Sequence, residues 1–254
     1  MWETLIINPM INALLGIYSV LGGFGLSIIV FTILVRLLTY PLTAQQLRSA
    51  QKMQEFQQSK EYKTLQKKYK DDKQKLQQEQ MKLYQEMGIN PLGSCLPLLI
   101  QFPIIIGLYQ AVIRALAVTP TQLIELSTHI YPVLDASRLI PVDNTFLWMN
   151  LSQPERLNIP GIPWGIPVLA IVVVVTTYLQ SKMMSPTTAP GGDDQGGGMA
   201  AASNVMNLYM PLLMGYLALT FASGLSLYFV ASNLVTIIQY ALMGKLDWRR
   251  LIPG

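Results

Sequence analysis

The 254-residue sequence is poor in the residues from which catalytic and metal centres are usually built. It has one cysteine, Cys95, and one histidine, His129, and only 13% of its residues are charged. A single cysteine excludes an intramolecular disulfide, and neither a cluster with metal-ligand spacing nor a glycine-rich phosphate loop followed by lysine occurs. The sequence therefore predicts no enzyme: no catalytic residue, no metal and no cofactor.

One short motif points the other way. Gly224-Leu225-Ser226-Leu227 matches the serine motif of intramembrane proteases. That chemistry needs a base within hydrogen-bond reach of the serine, and the single histidine lies outside every apolar segment. Ser226 is therefore interpreted as a residue that packs helices together.

Long apolar segments dominate what the sequence does contain. Hydrophobic residues make up 51% of the chain, and four windows carry no charge: Thr4–Val35, Met87–Ile113, Leu157–Ser181 and Gln195–Gly244. Each exceeds the roughly 20 residues that cross a bilayer as a helix. The windows are continuously apolar and do not alternate, which favours helices over transmembrane strands. The fold class predicted is an all-α integral membrane protein.

The last window is too long for one span. Its 50 residues would form a helix of about 75 Å, against a hydrocarbon core of roughly 30 Å. We expect Gln195–Ser203, rich in glycine and alanine, to be a loop, and the rest to break at Ser223-Gly224. The chain then has five transmembrane helices.

Basic residues predict the orientation, because lysine and arginine collect on the cytoplasmic side. Ten of the 18 basic residues lie between Leu42 and Asn90, and the tail carries Lys245, Arg249 and Arg250. An even number of spans must separate two regions on the same side, and four do. The amino terminus and the loop Thr119–Pro163 are then outside, and the carboxyl terminus is in the cytoplasm.

The glycines Gly22, Gly23 and Gly25 interrupt the first window, so the chain before them is expected to lie at the outer interface. The predicted division is an outer interfacial segment (1–20), first span (21–41), cytoplasmic helical hairpin (42–90), second span (91–118), outer loop (119–163), third span (164–184), cytoplasmic loop (185–204), fourth span (205–222), fifth span (223–243) and cytoplasmic tail (244–254).

The cytoplasmic segment is predicted to be two antiparallel helices, about Leu42–Lys70 and Lys73–Met87, because Asp71 and Asp72 divide it and aspartate caps helix starts. The segment carries a thin apolar stripe at loosely helical spacing: Met53, Phe56, Leu65, Tyr69, Leu76, Leu83, Tyr84 and Met87. Its basic surface suits anionic headgroups, RNA or an emerging chain. A merely solvated hairpin is the alternative.

Arg36 ends the first uncharged window and needs a physical reason. A cation near the middle of a bilayer costs roughly 3 kcal/mol or more, so it usually faces a wet cavity or a partner. Alternatively, Arg36 extends to the headgroups, since Pro41 follows only five residues later. Both readings stay open.

Neutral polar residues recur at helical spacing within the predicted spans. They form four sets, each on one helix face: Thr32 with Arg36, Ser94 with Gln101, Thr176 with Gln180, and Ser226 with Asn233 and Tyr240. Converging faces of this kind would line a hydrated groove. Hydrogen bonding between helices without water is the alternative for any one of them.

Several sequence runs resemble the YidC family of membrane protein insertases over essentially the whole chain. They are RLLTYPLT (36–43), KDDKQKLQQEQ (70–80), NPLGSCLPLLIQFPIIIGLY (90–109), SPTT (185–188) and SGLSLYFVASNLVTIIQ (223–239). This chain differs from many members of the family at one position, where they have proline and it has Ala222. It resembles the compact members, which lack a large extracytoplasmic domain.

The resemblance implies a five-span core around a groove that opens to the cytoplasm and the lipid and is closed outside. The groove positions implied are Thr32, Arg36, Gln101, Gln180, Tyr228, Phe229 and Asn233. The implied partners are nascent membrane proteins, the lipid bilayer of the prokaryotic plasma membrane, and the Sec translocon, ribosome or signal recognition components, with no sequence-specific nucleic acid.

Two other functions fit an intramembrane arginine. A secondary transporter of a small anion would use Arg36 as its binding cation, but no internal repeat pairs the spans and five is an odd count for two halves. A non-inserting assembly scaffold would differ from an insertase mainly in whether Arg36 matters.

The topology is testable by labelling. In a chain with Cys95 replaced by serine, Lys67→Cys and Arg250→Cys should react only with reagent on the cytoplasmic side, and Asp143→Cys only from outside, because basic segments stay in the cytoplasm. Reaction of positions 67 and 250 from opposite sides would contradict the five-span arrangement.

Overall fold

A computed structural model describes residues 1–69, 72–88, 96–117, 119–158, 165–184 and 198–242. A short π-helical segment, Glu3–Ile7, leads into the first α-helix. The helices are α1 (Asn8–Leu21), α2 (Phe24–Leu38), α3 (Tyr40–Gln58), α4 (Lys60–Lys68), α5 (Lys73–Glu86), α6 (Leu96–Ala115), α7 (Pro120–His129), α8 (Ala136–Leu139), α9 (Val168–Met184), α10 (Gly198–Thr220) and α11 (Ser223–Leu242). Two strands, β1 (Thr145–Phe146) and β2 (Met149–Asn150), pair antiparallel.

The first apolar window is divided between α1 and α2, as its glycines predict. Gly22 takes a left-handed conformation with φ 70°, and its N–H closes α1 by donating to the Tyr18 carbonyl at 2.8 Å. Gly23 is extended, and α2 starts one residue later. Glycine tolerates the left-handed geometry without steric cost, so the chain turns sharply here.

Five long helices form the bundle: α2, α6, α9, α10 and α11. Helix α11 contacts α2, α6 and α9, and α10 packs along α9. Four of the five predicted spans contain one of these helices, and the predicted span 205–222 overlaps α10, which begins earlier, at Gly198. Two apolar helical stretches, Glu3–Leu21 and Ser223–Leu242, are long enough by themselves to cross a bilayer, and shorter apolar stretches lie in α2, α6, α9 and α10.

Three predicted features differ in the structure. Helix α10 begins at Gly198, so the loop predicted for Gln195–Ser203 is wrong from 198 onward, because the alanines at 200–202 favour helix over the neighbouring glycines. The predicted first helix of the hairpin is divided into two helices, α3 and α4. The division is at Ser59, whose backbone is extended and whose side chain caps α4. The loop 119–163 holds β1 and β2 as well as helices, so the fold is not purely helical.

The loop after β2 covers one end of the bundle, which we call the capped end; the other is the hairpin end. On α2 the buried residues run from Phe24 to Thr32, and none lies beyond. The segment after β2 covers the start of α11: the N–H of Ser223 donates to the Gln153 carbonyl at 2.8 Å and that of Gly224 to Leu151 at 3.1 Å. The backbone N–H groups at the start of α11, which have no partner within the helix, thereby have hydrogen-bond acceptors.

The amino-terminal helix is fastened to the capped end by polar side chains. Trp2 donates to Gln110 at 3.1 Å, and Glu3 pairs with Arg114 at 2.8 Å. Asn12 donates to the His129 carbonyl at 2.9 Å and accepts from the N–H of Tyr131 at 2.7 Å. Residues 1–20 therefore pack with the loop 119–158.

Gly25 offers a test of this closure. A Cβ at Gly25 would lie 2.3 Å from the Phe146 ring, whereas one at Gly16 meets nothing within 4 Å. Gly25→Ala should destabilise the protein by roughly 1–3 kcal/mol through overpacking. Gly16→Ala, the matched control in α1, should gain about 0.5–1 kcal/mol from lower chain entropy.

Thermal unfolding in one detergent measures both variants. A lower midpoint for Gly16→Ala than for Gly25→Ala would contradict the packing of β1 on α2.

Candidate functional site

Arg36 reaches across the bundle from α2 to α11. Its Nε donates to the hydroxyl oxygen of Ser232 at 2.8 Å, and Nη2 contacts the same oxygen. Ser232 is 2% exposed, and Gln239, two turns further along α11, donates to the Arg36 carbonyl at 3.3 Å. The guanidinium is thus directed at a neighbouring helix.

No carboxylate balances this cation in the part of the chain that the structure describes. The ion pairs there are Lys82–Glu79, Arg114–Glu3 and Arg138–Asp135. A serine hydroxyl accepts hydrogen bonds but carries no charge. The positive charge of Arg36 is therefore held by a neutral partner.

A second polar link joins α11 to α9 at the same level. Asn233 donates through Nδ2 to the hydroxyls of Thr176 at 3.0 Å and Thr177 at 2.9 Å. Because Ser232 and Asn233 are adjacent, α11 connects to α2 on one side and α9 on the other. Gln180 lies one turn beyond Thr176, half-buried, so the predicted residues Arg36, Asn233 and Gln180 share one region.

Four other predicted residues lie deeper, toward the capped end. Thr32 is fully buried and donates to its own helix at the Ile28 carbonyl, 2.6 Å away. Ser226 donates to the Ala218 carbonyl of α10 at 3.3 Å. Tyr228 and Phe229 are buried, with ring centroids 5.9 Å apart. All four residues are buried within the bundle.

Some predicted residues fall outside the description. The side chains of Gln101 and Met53 and the whole of Asp71 and Ser94 lie outside the described residues. Helix α6 contains position 101, which places its backbone in the bundle.

Sequence reasoning missed Ser232 and Gln239, the two residues that hold Arg36. They are seven apart and so share a helix face, just as Ser226, Asn233 and Tyr240 do. The two faces are about 100° apart on α11, and polar spacing does not tell which faces α2. The seven-residue spacing of polar residues was therefore present in the sequence, but it did not identify which face of α11 contacts Arg36.

The hairpin has a small core of its own. The ring centroid of Phe56 lies 5.2 Å from that of Tyr62 and 4.8 Å from that of Tyr84. Burial raises the pKa of the Tyr62 phenol. Asp72 caps α5 as predicted, accepting from the N–H of Lys75 at 3.0 Å. The aromatic contacts hold the arms together without the bundle.

Among the other residues of the predicted stripe, Leu83 packs against that core, whereas Leu65 and Tyr69 do not belong to it. Leu65 and Tyr69 are half-buried, and the Lys68 ammonium lies 5.2 Å from the centre of the Tyr69 ring. They remain accessible on the hairpin.

Comparison with known proteins gives one consistent result. The family model described as 60Kd inner membrane protein matches residues 16–248. The chain is 35% identical to the membrane protein insertase YidC of Oceanobacillus iheyensis, covering 96% of this chain and 84% of that one. It is 36% identical to the membrane protein insertase MisCA of Bacillus subtilis, covering 98% and 81%.

A solved structure has the same fold. The crystal structure of an active YidC insertase with its first transmembrane domain resolved superposes with a TM-score of 0.62 at 22% identity. The match covers 94% of the present chain and 46% of that chain, so the present chain spans about half of the solved protein.

Proposed function

The chain belongs to the YidC family of membrane protein insertases, and we propose that it inserts its clients by drawing a polar client segment onto Arg36 in a groove between α2, α9 and α11. One observation carries the proposal: the Arg36 guanidinium faces the bundle interior and is held by a neutral serine. A cation with a neutral partner keeps its attraction for an incoming carboxylate. The clients proposed are nascent membrane proteins in the lipid bilayer.

The groove opens in one direction only. We place the capped end outside and the hairpin end in the cytoplasm, with α2, α6, α9, α10 and α11 as five spans, the amino terminus outside and the carboxyl terminus inside. The basic hairpin supports this orientation. Burial of α2 only between Phe24 and Thr32 supports an inner half that separates more easily than the outer half.

Such a groove lowers the desolvation barrier that a polar client segment meets when it enters the membrane. A polar client segment entering hydrocarbon loses its hydrogen bonds to water, at several kcal/mol for each unsatisfied group. Hydrated polar side chains around Arg36, Asn233 and Gln180 supply partners partway across. The closed half, with Thr32, Ser226, Tyr228 and Phe229, ends the path before it becomes a pore, and Gln101 on α6 is assigned to the groove wall.

Coulomb attraction provides the selectivity of this step. A client carboxylate would replace the uncharged hydroxyl acceptor of Ser232 with a charged acceptor, so that the contact becomes an ion pair. At an effective dielectric between water and protein surface, the attraction is worth roughly 1–4 kcal/mol. The client's own apolar helix then partitions into lipid at about 25 cal/mol per Å², with no nucleotide hydrolysis.

We assign the hairpin the role of first contact with clients. Its accessible side chains include Leu65 and Tyr69, with Met53 on the same predicted stripe, and its lysines suit an acidic or anionic partner. Phe56, Asp72 and, by sequence, Asp71 hold its shape. The Sec translocon, the ribosome or signal recognition components are the proposed partners on this side.

Arg36 variants test the charge. Arg36→Lys should keep much of the activity, because a carboxylate some ångströms away responds to charge more than to the guanidinium fork. Arg36→Ala and Arg36→Glu should reduce insertion of a client with an acidic outer segment several-fold. The measurement is insertion yield in cells whose only insertase is each variant.

A paired client with the acidic residues neutralised provides the control, since it should depend less on Arg36. Equal yields from wild type and Arg36→Ala for the acidic client would exclude the attraction. A scaffold that does not insert would give that result.

A deletion of Ser59–Gln80 tests whether the hairpin captures clients or stabilises the fold of the bundle. The hairpin forms its own core around Phe56, Tyr62 and Tyr84, so its loss should weaken client crosslinking while the thermal midpoint in detergent stays near that of wild type. A glycine-serine linker of equal length serves as the control for chain length. If the thermal midpoint instead fell as far as expected for a disrupted bundle core, the hairpin would be a structural part of the fold.

A further inference from the structure

The turn between β1 and β2 is exposed and apolar. The register pairs Phe146 with Met149, so the turn consists of two residues, Leu147 and Trp148, which are 75% and 51% exposed. Residues 144–154 include no charged side chain. We call Leu147 and Trp148 the apolar tip; the insertion mechanism proposed above does not use it.

Leu147 has a backbone conformation that leucine rarely adopts. Its φ is 56°, and two-residue hairpin turns with a positive φ at the first central position favour glycine there. A side chain in this conformation costs free energy that glycine avoids. Because most of Leu147 is exposed, packing within the protein recovers little of this cost. The fold of the turn therefore does not explain an apolar side chain at this position.

Trp148 carries one polar group, and that group is satisfied inside the protein. The indole N–H donates to Glu155 Oε1 at 2.8 Å. Glu155 is buried, and its Oε2 accepts from the N–H of Leu169 at 2.9 Å, at the start of α9. A tryptophan N–H without an acceptor opposes transfer of the ring to an apolar medium. With its N–H already bonded, the exposed part of this ring can enter lipid without that cost.

The neighbours of the apolar tip lie where three long apolar helices begin. The Phe146 ring lies against Gly25, in the first turn of α2. The Asn150 carbonyl accepts from Ser223 Oγ at 2.8 Å, at the start of α11. Glu155 binds the start of α9. The ends of membrane-spanning helices lie at headgroup level, which is where tryptophan collects.

We propose that the apolar tip is embedded in lipid, at the boundary between the headgroups and the acyl chains of the leaflet at the capped end. The Leu147 side chain contacts acyl chains, and the Trp148 ring, fixed by Glu155, lies at the boundary. The embedded tip holds the capped end at a fixed depth. That this leaflet is the outer one rests on the orientation proposed above, whereas the lipid contact does not.

Fluorescence quenching in phosphatidylcholine liposomes tests the contact. In the full chain with Cys95 replaced by serine, a polarity-sensitive thiol probe is attached at Leu147→Cys or, as the matched control, at Arg138→Cys. Arg138 lies in the same loop, and its side chain is charged and 85% exposed. The probe at 147 should emit at shorter wavelength and be quenched by lipid brominated on the upper acyl chain. The probe at 138 should be quenched by iodide present on both sides of the membrane.

The native tryptophan provides a second measurement without an attached probe. The other three tryptophans, at positions 2, 164 and 248, are replaced by phenylalanine. Brominated lipid should then quench Trp148. Leu147→Asp should shift the emission to longer wavelength and remove most of this quenching, because a carboxylate among acyl chains is unfavourable. Leu147→Met, which stays apolar, should leave both unchanged.

A folding control separates lipid contact from packing within the protein. Leu147→Gly should leave the thermal midpoint in detergent at or above that of wild type, because glycine takes a positive φ without steric cost. A midpoint lowered as far as for a buried leucine would make Leu147 part of the fold and overturn the proposal.

Two quenching results would also overturn it. Equal quenching of the probes at 147 and 138 by iodide would place the apolar tip in water, as expected of a docking surface for another protein. Protection from both quenchers that disappears when the protein is diluted in lipid would mean that a second copy of the chain covers the tip. No client is inserted in these measurements, so their failure would leave the role proposed for Arg36 unaffected.

Discussion

The arrangement of the bundle depends on how one positive charge is accommodated among apolar helices. Arg36 is the only charged residue of α2, and it is held by Ser232 and Gln239 of α11. A buried carboxylate would neutralise the cation at a high desolvation cost and use up its attraction. A hydroxyl satisfies N–H groups while leaving the charge in place. Under the proposed function, the contact that links α2 to α11 therefore also leaves Arg36 able to attract an acidic client segment.

The second constraint is asymmetry between the two ends. At the capped end, backbone N–H groups that begin α11 donate to carbonyls after β2. A Cβ added at Gly25 would clash with Phe146, and one added at Gly224 would clash with Val112. Close packing of this kind does not deform continuously. Further along α11, hydrogen bonds at Ser232 and Asn233 link it to α2 and α9. The proposed function requires the bundle to open from the hairpin end.

The hairpin and the amino-terminal helix are attached in different ways. The hairpin folds around Phe56, Tyr62 and Tyr84 and continues from α2 through α3, so its core is separate from that of the bundle. Helix α1 instead shares the main core through Ile7, Ile11 and Leu14. The basic hairpin thus has a core of its own, whereas the amino-terminal helix is part of the bundle core.

Hydropathy and charge in the sequence determined the membrane class, the helical character, the break at Gly22-Gly23 and the Asp72 cap, because these follow from local chemistry and length. They did not determine where α10 begins or that Ser59 breaks the hairpin, since competing propensities differ there by fractions of a kcal/mol. Whether Arg36 turns inward, and whether Ser232 or Asn233 meets it, depends on the rotation of α2 and α11, which packing alone decides. The contacts of Asn12 with the backbone of His129 and Tyr131 likewise join distant segments, and no periodicity within one helix could have predicted them.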